Sequence, residues 1–532
     1  MPYSLDYKTY DRSKLPDDPA VLKDIIGELV YTVHLLQEKI AELVGICGEF
    51  KQRCSELEEK VTHLEHQLGL MKQKQFGRKS EKVSVDKTLS VLKTSEEKPF
   101  RKKHVGRQKL PHPLKRVRTE YDLKEEEKVC PLCRGIMVKI QDVTTEQLDI
   151  VPAQLQVKEH VRSKYACRHC YGSVRTAPLP AQVIDKGRAS AALLAHLLVN
   201  KFYDHFPFYR QQKWFERQGY DVSRTTLWSW EEQCAIALEP LVKAMKDELT
   251  SGDHVFSDDT PMPTLEKGLG KTKTRRMWTY TRRGTSHQKA LTVYEYTPDR
   301  QGLHPQIFLK NFKGYLQVDA YSGFKQLFAA AKGSLCLTIE VGCWGHARRK
   351  FVEVASLDPV SLSWEILKMI QQLYAVERVA RDHALTDQQR KWLRRHRSRP
   401  ILKKIYQWLK KHQPRAPPKS ALGQAIFYAL NHWQALTVFL TDGRLEIDNN
   451  RAERSIKSVV IGRKNFLFMG GSRGGWAAAI VFSLMETCRQ NKIDPQAYLT
   501  DVLERLPTHP YPRLKELLPH YWKSNQNLDQ AA

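Results

Sequence analysis

The 532-residue chain carries 86 Lys and Arg against 59 Asp and Glu, a formal net charge of +27, and its length exceeds what one hydrophobic core serves, so several structural units are expected. Such a charge makes a polyanion the expected partner, nucleic acid before membrane, because no apolar run approaches the roughly 18 to 20 residues of a spanning helix. The opening MPYSLDYKTYDRSK lacks the apolar stretch of a secretory signal, so a cytoplasmic location is expected.

After a short tail (1–19), apolar residues recur in alternating steps of four and three. They run from Leu22 through Ile26, Leu29, Val33, Leu36, Ile40, Leu43, Cys47, Phe50, Cys54, Leu57, Val61, Leu64 and Leu68 to Met71. A 3.5-residue repeat kept over about seven heptads predicts a coiled coil over 20–74 that joins copies of the chain into a homo-oligomer. The alternative is a long amphipathic helix packed on its own domain. Residues 75–125 are rich in Lys and Arg, hold Pro99, Pro111 and Pro113, and show no lasting periodicity. This stretch reads as a basic linker, either a solvated spacer or an arm whose cations reach phosphates.

Within 126–180, Cys130-Pro-Leu-Cys133-Arg-Gly135 and Cys167-Arg-His-Cys170-Tyr-Gly172 are one turn written twice. Two thiolates three residues apart can face one tetrahedral ion, and the glycine permits the tight turn behind them. Alternating stretches such as QLQVKEHVRSKYA predict a hairpin joining the two knuckles. Four cysteines leave no position for water, which makes the zinc structural. A redox C-x-x-C accounts for one pair but not for two with matching flanks.

Residues 181–245 are predicted helical. YRQQKWFERQGYDVSRTTLWSWEEQC holds a helix, a turn at Gly219, Ser223 as N-cap and a second helix opening with Arg224, Thr225 and Thr226. It is either a helix-turn-helix whose second helix enters a major groove or an ordinary helical hairpin. Five β-rich stretches follow: HVFSDDTP, RRMWTYTRR, KALTVYEYT, GYLQVDAYSGF and LCLTIEVGCW. GLGKTKT lacks the first glycine of a phosphate loop, where Leu265 stands, and reads as an exposed turn between strands. Cys343-Trp-Gly-His346 has no second ligand pair at useful spacing. At His346-Ala-Arg348-Arg349-Lys350 a strand end meets a helix start; the cations either hold phosphates or form a solvated helix face. Helices dominate thereafter.

Among 59 acidic residues nothing local singles out a catalytic set. Asp258 and Asp319 each end a strand-like run, where side chains can project into a shared cleft. Glu453 follows Asp448-Asn449-Asn450 at a helix start, and there a capping box from Asn450 to Glu453, with Lys457 as an i,i+4 partner, is a specific alternative.

The succession of motifs resembles the insertion sequence 66 family of DDE transposases, which are bacterial enzymes. The resemblance rests on the zipper-like start, FGRKSEK at 76 to 82, the two cysteine knuckles, SDDTPMP, KTKTRRMWTY, YLQVDAYSGF, CWGHARRKF, DGRLEIDNNRAERSIKSVVIGRKNFLF and ELLPHYW. It implies a multidomain α+β protein: coiled coil, zinc-ribbon-like module, helix-turn-helix region and an RNase H-like catalytic core. The core is a mixed sheet flanked by helices, spread over 246–355 and 441–490. A basic helical insertion (356–440) interrupts it, and a C-terminal helical segment (491–532) closes the chain. The catalytic triad is Asp258, Asp319 and Glu453; the family's usual Asp-Glu-Thr is Asp258-Asp259-Thr260 here, which leaves open which aspartate points inward.

The activity implied is metal-dependent cleavage and strand transfer at the ends of an insertion sequence. Two Mg2+ or Mn2+ ions would be held by the triad, besides one structural Zn2+ on the four cysteines. Double-stranded DNA, as element ends and target, is the expected partner, with Arg224, Thr225, His346, Arg348, Arg349 and Arg454 as contacts and small accessory proteins possible in addition. The insertion's RKWLRRHRSRPILKKIYQWLKK is suited to gripping DNA. The competing reading is a zinc-containing DNA-binding protein that does not cut.

Overall fold

A 58-residue helix, α1 (Pro19–Phe76), opens the described part of the chain. The structure is a computed structural model that describes residues 18–76, scattered positions between 117 and 166, and 174–523 apart from 267, 269, 286–287, 330–337 and 358–360. Along α1 the heptad positions Ile26, Leu36, Ile40, Leu43, Phe50, Leu57 and Leu64 are all more than half exposed. Among the described residues nothing buries these positions.

The chain divides into two compact units, 79–178 and the remainder. In the first, β1 (Lys164–Ala166) pairs antiparallel with β2 (Val174–Thr176), Tyr165 opposite Arg175. This strand pair brackets the second cysteine turn instead of joining the two knuckles, and of QLQVKEHVRSKYA only the last three residues are strand. Cys130, Cys133, Cys167 and Cys170, and most of the basic linker, lie outside the described residues.

In the larger unit, α2 (Ala191–Phe202) starts at Ser190, whose hydroxyl accepts from the Leu193 amide at 3.3 Å. Helix α3 (Phe208–Arg217) ends in a turn where Gly219 sits at φ +82, and Ser223 caps α4 (Arg224–Thr250) by accepting from the Thr226 amide at 3.1 Å. Both caps supply an acceptor to an amide the helix itself leaves unpaired.

The five β-rich stretches form one mixed sheet: β3 (His254–Leu265), β4 (Thr272–Arg282), β5 (Leu291–Thr297), β6 (Gly314–Gln317) and β7 (Thr338–Val341). The order is β5-β4-β3-β6-β7, antiparallel through β3–β4–β5 and parallel through β3–β6–β7. Gly268 at φ +87 and Gly270 at φ +62 make the β3–β4 turn, the conformation glycine adopts without steric cost. A short helix, α5 (Leu303–Phe308), leads from β5 towards β6.

Helices α6 (Trp344–Leu357), α7 (Ser363–Asp382), α9 (Arg399–His412), α10 (Ala421–Asn431) and α11 (Trp433–Thr437) enclose an apolar cluster that includes Trp344, Phe351, Ile370 and Ile405, while the short α8 (Asp387–Leu393) buries no residue. Part of the basic stretch expected to grip DNA belongs to this interior. Arg394 is fully buried; its Nε and Nη2 donate to the two oxygens of Glu377 at 2.7 and 2.9 Å, and its remaining bonds go to the carbonyls of Phe439, Asp442 and Leu445. Arg390 donates to the same Glu377. Amphipathic winding puts these two cations inward, while Arg395, Arg397, Lys403 and Lys404 stay exposed.

The chain returns to the sheet with α12 (Asn450–Phe466), α13 (Ser472–Gln490) and α14 (Pro495–Arg505). Helix α13 covers the edge strand β5. Its Ser483 and Thr487 hydroxyls accept from the Tyr294 and Thr292 amides at 2.8 and 3.1 Å, which satisfies backbone that an edge strand leaves open. Among the described residues no helix is long and apolar enough to cross a membrane.

Candidate active site

The register of two parallel strands brings the first two acids together. Phe256 of β3 stands opposite Gln317 of β6. Two residues beyond that pair come Asp258, within β3, and Asp319, past the last residue of β6, and the charge of Asp319 is felt at Asp258. Asp319 lies just past β6 in an Asx-type turn, its Oδ1 accepting from the Tyr321 amide at 3.1 Å. Tyr428 of α10 donates its hydroxyl to the Asp319 carbonyl at 3.3 Å.

Asp258 and its neighbour Asp259 face different surroundings, as successive side chains of a strand must. The Asp259 carboxylate is 2% exposed and shared between two arginines. Arg276 Nη1 reaches Oδ2 at 3.0 Å, while Arg300 reaches Oδ1 with Nε at 2.9 Å and Nη2 at 2.8 Å. Among the described residues no such cation pairs with Asp258. Burial pushes its carboxyl up to about 8, and the neighbouring charges of Asp319, Asp259 and Glu453 push in the same direction.

Glu453 lies in the first turn of α12. The segment before it is stitched to the sheet by long-range bonds. Asn449 Nδ2 donates to the Ser257 carbonyl at 2.9 Å, and Gln317 Nε2 donates to the carbonyls of Glu446 and Asp448 at 2.7 and 2.9 Å. The Asn449 amide donates to Cys343 Sγ at 3.2 Å, tying the same segment to the start of α6. These bonds set the helix start beside the residues that precede Asp258 and Asp319. The capping-box geometry is not adopted: the N-cap is Asn449, without a side-chain cap bond, and Asn450 turns back to Asp448 at 2.7 Å. Glu453 Oε1 instead approaches His346 Nε2 at 3.8 Å.

His346, Arg348 and Arg349 all lie in the first two turns of α6, which begins where β7 ends. His346 Nδ1 is buried without a hydrogen-bond partner. Arg454, one position and about 100° further round α12 than Glu453, lines a separate cavity of about 260 Å³ together with Lys457, Tyr203 and Arg489. Arg224 and Thr225 are exposed in the first turn of α4. The structure thus gathers Asp258, Asp319, Glu453 and His346 and leaves Arg454, Arg224 and Thr225 on other surfaces.

Sequence reasoning did not single out Arg300, Gln317 or Asn449. Gln317 and Asn449 fell inside quoted motifs, and their roles are bonds to residues more than a hundred positions away. Arg300, in the loop after β5, carried no local signal.

Among the described residues no three His, Cys, Asp or Glu side chains are set closely enough to cage an ion as they stand. The chemistry of the donor set nevertheless fits divalent cations. Asp258, Asp319 and Glu453 offer hard oxygens within electrostatic reach of each other; burial first, and the charges of Asp319, Asp259 and Glu453 after it, raise the Asp258 carboxyl to about 8.

An acidic cluster beside a mixed sheet, on a chain with a formal net charge of +27, fits a protein that meets nucleic acid. Comparison with known proteins narrows that class. Residues 186–477 match the family model described as "Transposase IS66 family", residues 483–520 match "IS66 C-terminal element", and residues 127–171 match "zinc-finger binding domain of transposase IS66". The chain belongs to the IS66 family of transposases. It is 37% identical over 416 residues to the uncharacterized protein y4jD of Sinorhizobium fredii, covering 77% of this chain and 81% of that one. It is 34% identical over 449 residues to y4hP of the same organism, covering 81% and 79%. The zinc-finger match spans the described cysteine spacing and implies zinc; the transposase match implies DNA as partner and divalent metal at the active site.

Proposed function

We propose that this transposase cleaves DNA at the ends of its insertion sequence and joins the freed ends to target DNA, using Asp258, Asp319 and Glu453 in an RNase H-like core. The observation that supports the reading is the β3–β6 register, which pairs Phe256 with Gln317 two residues before Asp258 and Asp319, together with the charges of Asp319 and Glu453 felt at Asp258. Asp258 and Asp319 would anchor two Mg2+ or Mn2+ ions, with Glu453 completing one of their sites. Bound there, a pair of divalent ions neutralises charge on the attacking and leaving oxygens and makes a nucleophile available at neutral pH.

The protein's own groups align the strands. Arg348, Arg349 and His346 at the start of α6 hold backbone phosphates beside the acids, with Arg454 as a further contact on the flank of α12. In the first reaction a water oxygen bonds to phosphorus and a 3′ oxygen leaves; in the second that 3′-hydroxyl bonds to a target phosphorus and displaces another 3′ oxygen. The α3–α4 unit acts as a helix-turn-helix presenting Arg224 and Thr225 to the major groove. Cys130, Cys133, Cys167 and Cys170 hold one structural Zn2+. The exposed stripe of α1 joins copies of the chain as a coiled coil, small accessory proteins of the same element take part, and the enzyme works in the cytoplasm.

A strand-cleavage and strand-joining assay on element-end duplexes in Mg2+ or Mn2+ tests the reading, with native chain and Asp319→Asn side by side. The native chain cuts and the variant, though folded and DNA-bound, does not. A native chain that binds ends and never cuts them would leave a zinc-containing DNA-binding protein.

A further inference from the structure

We propose that Arg300 is a phosphate-binding residue of the active site and that Asp259 is its positioning residue, not a metal ligand. The inference rests on the reading above, that Asp258 and Asp319 form the catalytic centre.

Arg300 is locked on several sides. Its Nε donates to Asp259 Oδ1 at 2.9 Å, and its Nη2 makes an ion pair with the same oxygen at 2.8 Å. Its guanidinium carbon lies 4.1 Å from the centre of the Tyr321 ring, and the Tyr321 hydroxyl donates to the Arg300 carbonyl. Tyr321 in turn gives its amide to Asp319. The two loops can approach this closely because both carry glycine: a Cβ on Gly302 would collide with the Gly323 carbonyl, and one on Gly323 with the Tyr321 ring. A guanidinium on a flexible stem is thereby fixed in one place, with Nη2 3.9 Å from Asp319 Oδ2, too long for a hydrogen bond, and with 38% of the side chain exposed.

That placement has a chemical use. The acids which hold the metals also repel the DNA backbone that must enter. A cation at the rim of the cluster, already oriented, offsets the repulsion and can donate to phosphate oxygens in the planar geometry that suits arginine and not lysine. Pre-orientation by Asp259 spares the entropy of ordering a long side chain when DNA arrives. Were Asp259 a metal ligand, at least one of its oxygens would have to give up, or share with the ion, the bond it makes to Arg276 or Arg300.

The test uses the full-length protein and an element-end duplex. Binding is measured across a salt series in Ca2+, cleavage in Mg2+, and thermal stability in parallel. Arg300→Ala is expected to lower cleavage about 100-fold and to reduce the slope of log affinity against log salt by about one, the loss of one phosphate contact. Asp259→Asn should move both readouts in the same direction, Asp259→Glu should retain both, and Arg300→Lys should restore the salt slope while leaving cleavage low.

If Arg300→Ala keeps the native slope and rate while Asp319→Asn is inactive, the inference about Arg300 is overturned and the catalytic reading stands. If Arg300→Ala lowers stability and rate with an unchanged slope, its role is structural and the inference is overturned. If Asp319→Asn cuts as well as the native chain, the catalytic reading itself fails, whatever Arg300 does.

Discussion

Asn449 donates its side-chain amide to the carbonyl of Ser257 at 2.9 Å, a buried bond between residues 192 positions apart. Ser257 precedes Asp258, and Asn449 stands four residues before Glu453. One hydrogen bond therefore holds the start of the Glu453 helix against the strand that carries the first acid. Asn449→Ala should cost about 1–2 kcal/mol of stability, the value of a buried bond whose partner is left behind. Cleavage should fall more than stability does, by about tenfold or more, because misplacing a catalytic group by about 1 Å is costly. Thermal melts and cleavage rates measured on one preparation check this; lost stability with an unchanged rate would make the bond a structural tie only.

Asp258 sets a pH dependence. Burial and its acidic neighbours raise its carboxyl from 3.8 to about 8. Between those values the folded chain keeps a proton that the unfolded chain releases. The group's stabilising contribution is thus present below the ordinary carboxylate value and is lost as pH rises through 8. Melts in EDTA should show stability declining from about pH 4 to about pH 8 and levelling off above, and Asp258→Asn should flatten the decline. Because cation binding requires the carboxylate, apparent Mg2+ affinity should rise over the same window. A Mg2+ affinity that weakens towards pH 8 would contradict the assignment.

Arg394 offers a test of the helical region. Substitution by Met leaves Glu377 with Arg390 alone and strips three backbone carbonyls of a donor. Breaking such a buried pair costs about 3–5 kcal/mol. Arg397→Ala, three positions on and exposed, should stay within about 0.5 kcal/mol of native. Denaturation curves for the two variants compare them directly; equal stability would mean that Arg394 does not hold these helices together.

The long helix α1 predicts an assembly state. Leu36 and Leu43, 53% and 60% exposed, lie on its heptad stripe. Changing both to Lys should convert an oligomer into monomers in sedimentation velocity, since a charged pair on the seam removes the apolar burial that drives association. A native chain that sediments as a monomer would rule out the coiled coil.

Much of the fold was legible along the chain because its cause is local. The 3.5-residue repeat marks α1, strand-like runs mark β3 to β7, and Ser223 before Arg224 marks the start of α4, with the cap bond where a serine acceptor puts it. The glycines of GLGKTKT made a turn for the same kind of reason. Motif order was enough for the family. Spacing alone offered no way to choose three acids from 59.

Tertiary structure decided which groups meet. Strand pairing set Phe256 against Gln317 and so Asp258 beside Asp319; the alternation of strand side chains gave Asp259 to two arginines; and bonds from Asn449 and Gln317 seated the helix that bears Glu453. It also turned Arg394 inward out of a stretch that reads as uniformly cationic. Local periodicity records how each element prefers to bury its apolar side. It holds no record of register or of a hydrogen bond between residues far apart in the chain, and those are what bring charged groups into one place.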